Sequence, residues 1–404
     1  MGCRGIVALT LSLLLAAPMA VRAQEESTSS DESSRSLFDT DLPPKPGSLL
    51  FPASTGHKYW MAGEFVFGWV SGPNLLPLVT TSLPGTDTSE AGILGDPSTS
   101  TLFSGRVTDN LRTGLRLGAG YLFDPEYGRG VEADFLFLGS QSSTFSATSD
   151  AFPILARPYI DANTEDPQAV LIAHPDQSTG SVTIDAKSGS YYAVHLDTTE
   201  RIWNRGATNV SCLFGYRYGH YDDSLRFQQT IVPNALPGTT IVSRDAFRAR
   251  NDFNGLDLGL RSEHSWNNLT LNLLGRVSAG YLRREVNIQG SQITTVGGVP
   301  TTAVGGVYAL ESNIGTHRDD DFVIWPELGG TLNWQIRSNV RVHLGYTGIM
   351  LNQIVRASDQ IDFTVNPELF PPASPAADPL RPKYPRDTTD VWVHTVNLGV
   401  DFLF

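Results

Sequence analysis

Eleven charged residues of this 404-residue chain share one parity within alternating apolar and polar runs: Glu64, Arg116, Glu132, Asp134, Arg217, Asp257, Arg261, Arg276, Glu327, Arg341 and Asp401. Carboxylates and guanidiniums gathered on one face can act in two ways. In a tight interior they must pair, because an unpaired buried charge is costly. Around a column of water they line an ion pathway. A second set has the makings of acid–base chemistry. His317 precedes Asp319, Asp320 and Asp321, and His220 precedes Asp222 and Asp223. General acid–base work needs such groups within hydrogen-bond reach, but neither cluster comes with a nucleophile motif, so no catalysis is expected. The eight His residues lack a metal-ligand spacing, and no glycine loop follows a strand and opens a helix. Neither a metal nor another cofactor is expected.

The elements that position these charges are strands. In residues 391–404, Trp392, Val396, Leu398, Val400, Phe402 and Phe404 fall on one parity, and Asn397, Gly399 and Asp401 on the other. This is the two-residue period of a strand with unlike faces. A sequence closing on Phe404 suits a strand that reaches a membrane interface, where aromatic rings sit among headgroups. Asn397, Gly399, Phe402 and Phe404 resemble the carboxy-terminal signal by which bacterial outer-membrane barrels are recognised for assembly, which implies the barrel-assembly machinery as a partner.

The same alternation recurs along the chain, beginning with residues 59–70, where Tyr59, Met61, Phe65, Phe67 and Trp69 oppose Ala62, Glu64, Val66 and Gly68. Residues 113–123 and 131–137 follow, joined by a tight turn at 124–128. Further pairs are read at 192–198 with 210–218, 256–261 with 269–281, and 322–336 with 340–347, before the closing strand. Stretches at about 71–112, 140–190, 222–251, 287–320 and 361–389 read as long external loops. Segments 227–231 and 285–289 are expected only to extend hairpins outward. Pro326 removes a ladder hydrogen bond and argues for a bulge or a strand beginning. The count is ten strands, with twelve as the alternative. Short turns at one end and long loops at the other define an all-β, antiparallel, up-and-down transmembrane barrel, with both ends on the periplasmic side.

Composition agrees. Charged residues make up 18% of the chain, beside 38 Gly, 7 Trp, 13 Tyr and 19 Phe. Such a blend suits strands whose apolar lipid side alternates with a small and polar inner side. Residues 1–23 read as a signal peptide: Arg4 precedes an apolar run at 6–20, and Val21-Arg22-Ala23 offers small residues for cleavage. Loss of Arg4 and Arg22 takes the formal net charge from -13 to -15, an acidic balance that argues against nucleic acid. Cys3 leaves with the signal and Cys212 stays alone, which excludes an intrachain disulfide. Residues 24–58 are acidic, Ser-rich and punctuated by Pro, and are expected to be a disordered periplasmic segment. Residues 59–404 form the barrel, in contact with outer-membrane lipid. The sequons at Asn209 and Asn268 fall at strand starts and read as chance.

Several stretches together resemble one family. They are Glu64-Phe65-Val66-Phe67-Gly68-Trp69, the run from Pro77 to Thr81, Gly92-Ile93-Leu94-Gly95, Phe214-Gly215-Tyr216-Arg217-Tyr218, and Val355-Arg356-Ala357-Ser358-Asp359-Gln360-Ile361-Asp362. On these the chain resembles type seven of the beta-barrel porin families over about 59–404. The resemblance implies an outer-membrane barrel with porin-like activity and supplies no catalytic or ligand residues. Open aqueous channels belong to barrels of about sixteen or more strands. Three functional readings therefore stand: a narrow or plugged channel, a structural or adhesive surface barrel acting through its external loops, and an outer-membrane hydrolase.

Overall fold

In the strand 208–233, odd-numbered side chains point inward and even-numbered ones outward over its whole length. What changes along it is the polarity of each face. From Phe214 to Tyr218 the outer side is apolar and aromatic, while Arg217 faces in. From Arg226 onward the outer side is polar, while Leu225 and Phe227 face in and are buried. The lower part thus suits lipid outside and polar groups inside, and the upper part is an ordinary water-facing sheet around an apolar core. The chain keeps one pleat through two solvents.

The computed structural model describes residues 58–374 and 377–404; the expected signal peptide and all of the acidic segment except Lys58 lie outside them. Among the described residues ten strands close a ring: β1 (Tyr59–Val70), β4 (Arg112–Asp124), β5 (Arg129–Leu138), β9 (Ser178–Arg205), β10 (Thr208–Pro233), β11 (Thr239–Trp266), β12 (Leu269–Val296), β14 (Gly315–Arg337), β15 (Val340–Ile354) and β17 (Thr389–Leu403). Every neighbouring pair is antiparallel, and β17 against β1 completes the circle, with Trp60 opposite Leu403 and Val70 opposite Val393. The fold is an all-β transmembrane barrel of ten strands, as the alternation predicts.

An exposed apolar band encircles it. Its turn-side edge carries Trp203, Trp266 and Trp334, and its other edge Trp69, Tyr281, Phe322 and Trp392. These are the two aromatic girdles of a membrane-spanning barrel. Between them Leu115, Leu258, Leu273, Leu328, Leu344 and Leu398 are exposed, which only a hydrocarbon surround makes favourable.

The external loops differ in part from the sequence reading: 140–190, 222–251 and 287–320 are mostly strand and 71–112 contains two strands, whereas 361–389 is largely loop as expected. Residues 222–251 continue β10 and β11 as one hairpin, and the pairing from Thr208–His264 to Ile231–Ile241 contains no register shift. Likewise β12 runs to Val296 and β14 starts at Gly315. The stretch 71–112 contains β2 (Asn74–Ser82) and β3 (Thr99–Arg106), and 140–190 contains β6 (Gln141–Thr148), β7 (Leu155–Asp161) and β8 (Pro167–Ala173) as well as the outer half of β9. Strand β13 (Val299–Val304) pairs with β12, and β16 (Thr364–Val365) with β7. Polar stretches between apolar runs resemble loops, but here they form the water-exposed face of a sheet. Pro326 is also placed differently. It lies inside β14, opposite Val277 of β12 with no bulge, at the point where the β14–β15 ladder begins with Glu327 opposite Ile349. A missing N–H costs nothing on a side without a ladder.

The outer body has its own core of Leu75, Val79, Leu225, Phe227, Phe247 and Tyr308, among others, all buried. At its centre the Arg157 guanidinium meets the Asp245 carboxylate at 2.7 Å with both side chains fully buried. Arg157 also lies over the Phe227 and Tyr308 rings at 4.4 and 4.3 Å. Asp245 Oδ1 accepts from the backbone N–H groups of Val307, Tyr308 and Ala309 at 2.8–3.1 Å. This desolvated carboxylate is therefore saturated with donors, the condition under which burying it is tolerable.

Leu258 faces outward in the middle of the apolar band. Leu258→Arg should cost about 2–4 kcal/mol of folding free energy in a bilayer, the range for Arg on the lipid face near the midplane. Reversible urea unfolding into vesicles reads it, and an unchanged free energy would place this face against something other than lipid.

Candidate functional site

All eleven charged residues of the shared parity point into the ring, on nine of its ten strands. Their contacts run across the lumen as well as along the wall. Arg261 of β11 forks onto Glu132 of β5 at 2.5 and 3.0 Å, two strands intervening. Arg217 of β10 approaches Glu327 of β14 at 3.4 Å and donates to the Tyr191 hydroxyl at 3.0 Å. Arg116 takes Asp134 on the adjacent strand at 2.8 Å. Arg341 lies opposite Asp401 in register.

Arg276 is the hub. Its guanidinium lies 2.7 Å from Asp257, 2.7 Å from Asp197 and 3.6 Å from Glu132. The parity of β9, whose outward residues include Leu196 and Thr198, places His195 and Asp197 in the lumen, and both belong to the network although the sequence reading passed over them. His343, opposite Gly399, is a further member, 3.2 Å from both Glu64 and Asp401. His195, Asp197 and Asp257 are close enough to offer a metal three ligand atoms. Arg276 already supplies the positive charge there, so the trio reads as one side of an ion-pair cluster.

The closing strand joins the same network. Asn397 donates to Glu64 at 2.5 Å, and a Cβ at Gly399 would come within 2.5 Å of His343 and 2.7 Å of Glu64. Phe402 and Phe404 are exposed on the lipid side. The space left among these groups is a cavity of about 100 Å³ bordered by Glu64, Arg116, Arg261, Arg276, Thr331 and His343. That volume holds a handful of waters at most.

Above the charges the lumen turns apolar. Trp325 and Phe253 stack at 4.5 Å, and Tyr191, Tyr221 and Leu282 fill the space around them, each essentially unexposed. Gly219 makes room for this, since a Cβ there would meet the Trp325 ring at 2.6 Å. Over this layer passes the segment 355–362. Asn251 binds Val355 through both its N–H and its C=O, at 2.8 and 2.9 Å. Asp223 Oδ1 accepts from the Ala357 N–H at 2.7 Å. Arg356 donates to the Ser71 carbonyl, just beyond β1, and approaches the Tyr221 hydroxyl of β10 at 3.5 Å. Strands β1 and β10 lie four steps apart around the ring, so this strap ties nearly opposite walls.

The acids of the two rim clusters go largely to partners other than their own histidines. His317 bonds the Asn313 carbonyl at 3.0 Å and stacks on Tyr384, while Asp319 and Asp321 are taken by Arg284 at 2.9 and 3.3 Å, and Asp320 lies 3.8 Å from Arg283. His220 contacts Asp252 at 2.7 Å and Asp222 at 3.6 Å, whereas Asp223 points inward to the strap. Burial opposes the charged form of His220, but these two carboxylates outweigh it and raise its pKa.

A family comparison decides where this interior belongs. The model described as Putative beta barrel porin-7 (BBP7) matches residues 60–404. The chain belongs to that family. No curated protein matches it. Among solved structures, this chain is similar to the outer membrane protease OmpT from Escherichia coli, with a TM-score of 0.37, 8% identity and coverage of 85% of this chain and 97% of that one. It is also similar to a Pseudomonas aeruginosa FadL homologue, with a TM-score of 0.25, 8% identity and coverage of 89% and 92%. A third is the transport unit of the autotransporter AIDA-I from Escherichia coli, with a TM-score of 0.25, 9% identity and coverage of 86% and 90%. Likeness at this level says nothing of what this chain does. Family and fold place it in the outer membrane.

Two substitutions test the interior. Arg276→Met should destabilise the barrel by about 3–5 kcal/mol, because it strands several buried carboxylates, and unfolding in detergent measures it. Asp223, outside the membrane band, gives a pH signature. Burial pushes its carboxyl from 3.8 up to about 7, with Arg356 only partly opposing. The folded state therefore holds its proton more tightly than the unfolded one, a contribution that is full below pH 3.8 and lost as pH rises to about 7. Asp223→Asn keeps an acceptor for Ala357 and should flatten this part of the stability profile. Parallel profiles for the two proteins would refute the assignment.

Proposed function

We propose that this barrel is a sealed membrane anchor with porin-like architecture and no open pore, and that its working part is the folded β body it carries outside the membrane. The apolar layer around Trp325 and Phe253 carries this reading, because it spans the lumen between the charge network and the strap. An ion crossing it would lose its hydration and meet mainly ring and aliphatic surface, the Tyr191 and Tyr221 hydroxyls being already bonded to Arg217 and Ser188, a cost well above thermal energy. Below the layer, paired guanidiniums and carboxylates leave space for only a few waters. In this reading outer-membrane lipid surrounds the barrel, and Asn397, Gly399, Phe402 and Phe404 serve as the assembly signal read by the barrel-assembly machinery. The body of β2, β3, β7, β8 and the strand extensions makes structural or adhesive contacts at the cell surface. No catalytic role is assigned to the rim histidines: the acids after His317 are taken by arginines, and Asp252 beside His220 is shared with Arg250.

Planar-bilayer recording of the purified full chain tests this. The expected result is a silent membrane, with no unitary steps in molar salt. Regular steps of fixed size from the wild-type barrel would overturn it.

A further inference from the structure

Three cations on the outer wall have no partner. Lys187, Arg226 and Arg248 face away from the barrel on β9, β10 and β11. Ser224 lies opposite both Lys187 and Arg248 in register, and Arg226 is the next outward residue of β10. None of the three makes an ion pair or a side-chain hydrogen bond among the described residues. Two neighbouring acids are paired, Asp252 with Arg250 at 2.7 Å and Glu285 with Arg318 at 2.6 Å, while Asp185, opposite Arg226 in register, accepts from the Thr144 hydroxyl at 2.7 Å and forms no ion pair. Asp222 remains at the edge, 3.6 Å from His220. In a chain of formal charge -13 this is a local excess of positive charge.

The wall is concave at this place. A groove of about 490 Å³ is bordered by Lys187, Asp222, Ser224, Arg226, Arg248 and Arg250. Its origin is a bulge. The register of β9 against β10 slips between Tyr221 and Asp223, leaving Gly189 and Ser190 opposite Asp222 alone. The Asp222 carboxylate folds over Gly189, where a Cβ would meet it at 2.3 Å. A bulge bends a sheet and increases its twist locally, and here it opens the groove beside the unpartnered cations.

Its height identifies the ligand. Ser224 lies six residues beyond Tyr218 of the outer aromatic edge, which at ~3.3 Å per residue and a tilt of ~40° is about 15 Å above that edge. Ordinary phospholipid headgroups extend only about 5–8 Å beyond the hydrocarbon. A ligand in the groove still stands directly over the lipid-facing parts of the same strands. We infer that this groove binds a phosphorylated glycolipid of the outer leaflet, with phosphates on its saccharide held by Lys187, Arg226 and Arg248. The inference does not depend on whether the lumen is sealed, so conductance and lipid binding can fail separately.

The test is titration of the purified full chain, in nonionic detergent, with fluorescent lipopolysaccharide carrying a phosphorylated inner core. The expected result is saturable binding of one lipid per barrel, weakened by enzymatic removal of the core phosphates. At about 1 kcal/mol per basic residue, each charge removed should weaken binding about fivefold, and Lys187→Gln/Arg226→Gln/Arg248→Gln together about a hundredfold. Asp222→Asn, which removes the repelling acid, should tighten it. Arg205→Gln/Arg337→Gln, at the opposite end of the barrel, should leave it unchanged. Heat-modifiable gel mobility confirms that each variant is folded before it is titrated. Equal affinity for dephosphorylated lipid, undiminished binding by the folded triple variant, or an equal loss in the Arg205/Arg337 variant would overturn the assignment. Displacement by inorganic phosphate at matched phosphate concentration would reassign the groove to a free anion.

Discussion

The ladder between the first and last strands sets the terms for the rest of the molecule. Backbone N–H and C=O groups have no partner in hydrocarbon, so a sheet can cross a membrane only if it has no edge. Strands β1 and β17 meet that demand through residues 60–70 and 393–403 paired in unbroken register. Closure with ten strands then fixes a narrow interior, and a narrow interior must be filled.

What fills it follows from the two solvents outside. In the membrane the outer face is given over to Leu, Phe and Trp, so the polar residues of each strand point inward, where guanidiniums and carboxylates meet one another. Arg276 with Asp197, and Arg261 with Glu132, hold non-adjacent strands together where water is scarce, and Asp257 of the neighbouring β11 joins the first pair. Above the membrane the same strands meet water, their polar residues turn outward by composition alone, and inward positions become apolar. Trp325 and Phe253 sit where the two regimes meet. They are too high to be needed in the charge network and low enough to close the lumen beneath the outer core. The strap at 355–362 adds polar ties across the mouth, from Ser71 on one side to Asn251 and Asp223 on the other.

Much of this was legible in the sequence, and the misses have one cause. Unlike faces at a two-residue period gave all ten ring strands and put all eleven charged residues on the inner face, because in lipid the polarity difference between faces is extreme. His195 and Asp197 follow from the same parity once Leu196 and Thr198 are assigned to lipid. The outer halves of β10, β11 and β12 read as loop in the sequence because the polar face moves outside near Asp222, although the pleat continues through it. The strap motif at 355–362 was visible as a distinctive string, but its partners Ser71, Asp223 and Asn251 are remote in sequence, and no local pattern specifies such pairing. Pro326 misled for a similar reason: its effect depends on whether β15 lies alongside, which only the fold determines.

A sealed lumen requires a solid interior at the level of Trp325. Ala193 faces into that layer and is 1% exposed, so Ala193→Cys in a Cys212→Ser background places a single described thiol at the seal. Its rate of reaction with a charged, water-soluble maleimide, in vesicles open to reagent on both sides, is the most direct measurement. The account predicts no labelling in the folded barrel and full labelling once it is unfolded in urea. Labelling of the folded barrel at the rate of a surface cysteine would mean that water passes through the layer, and the barrel would then be a channel.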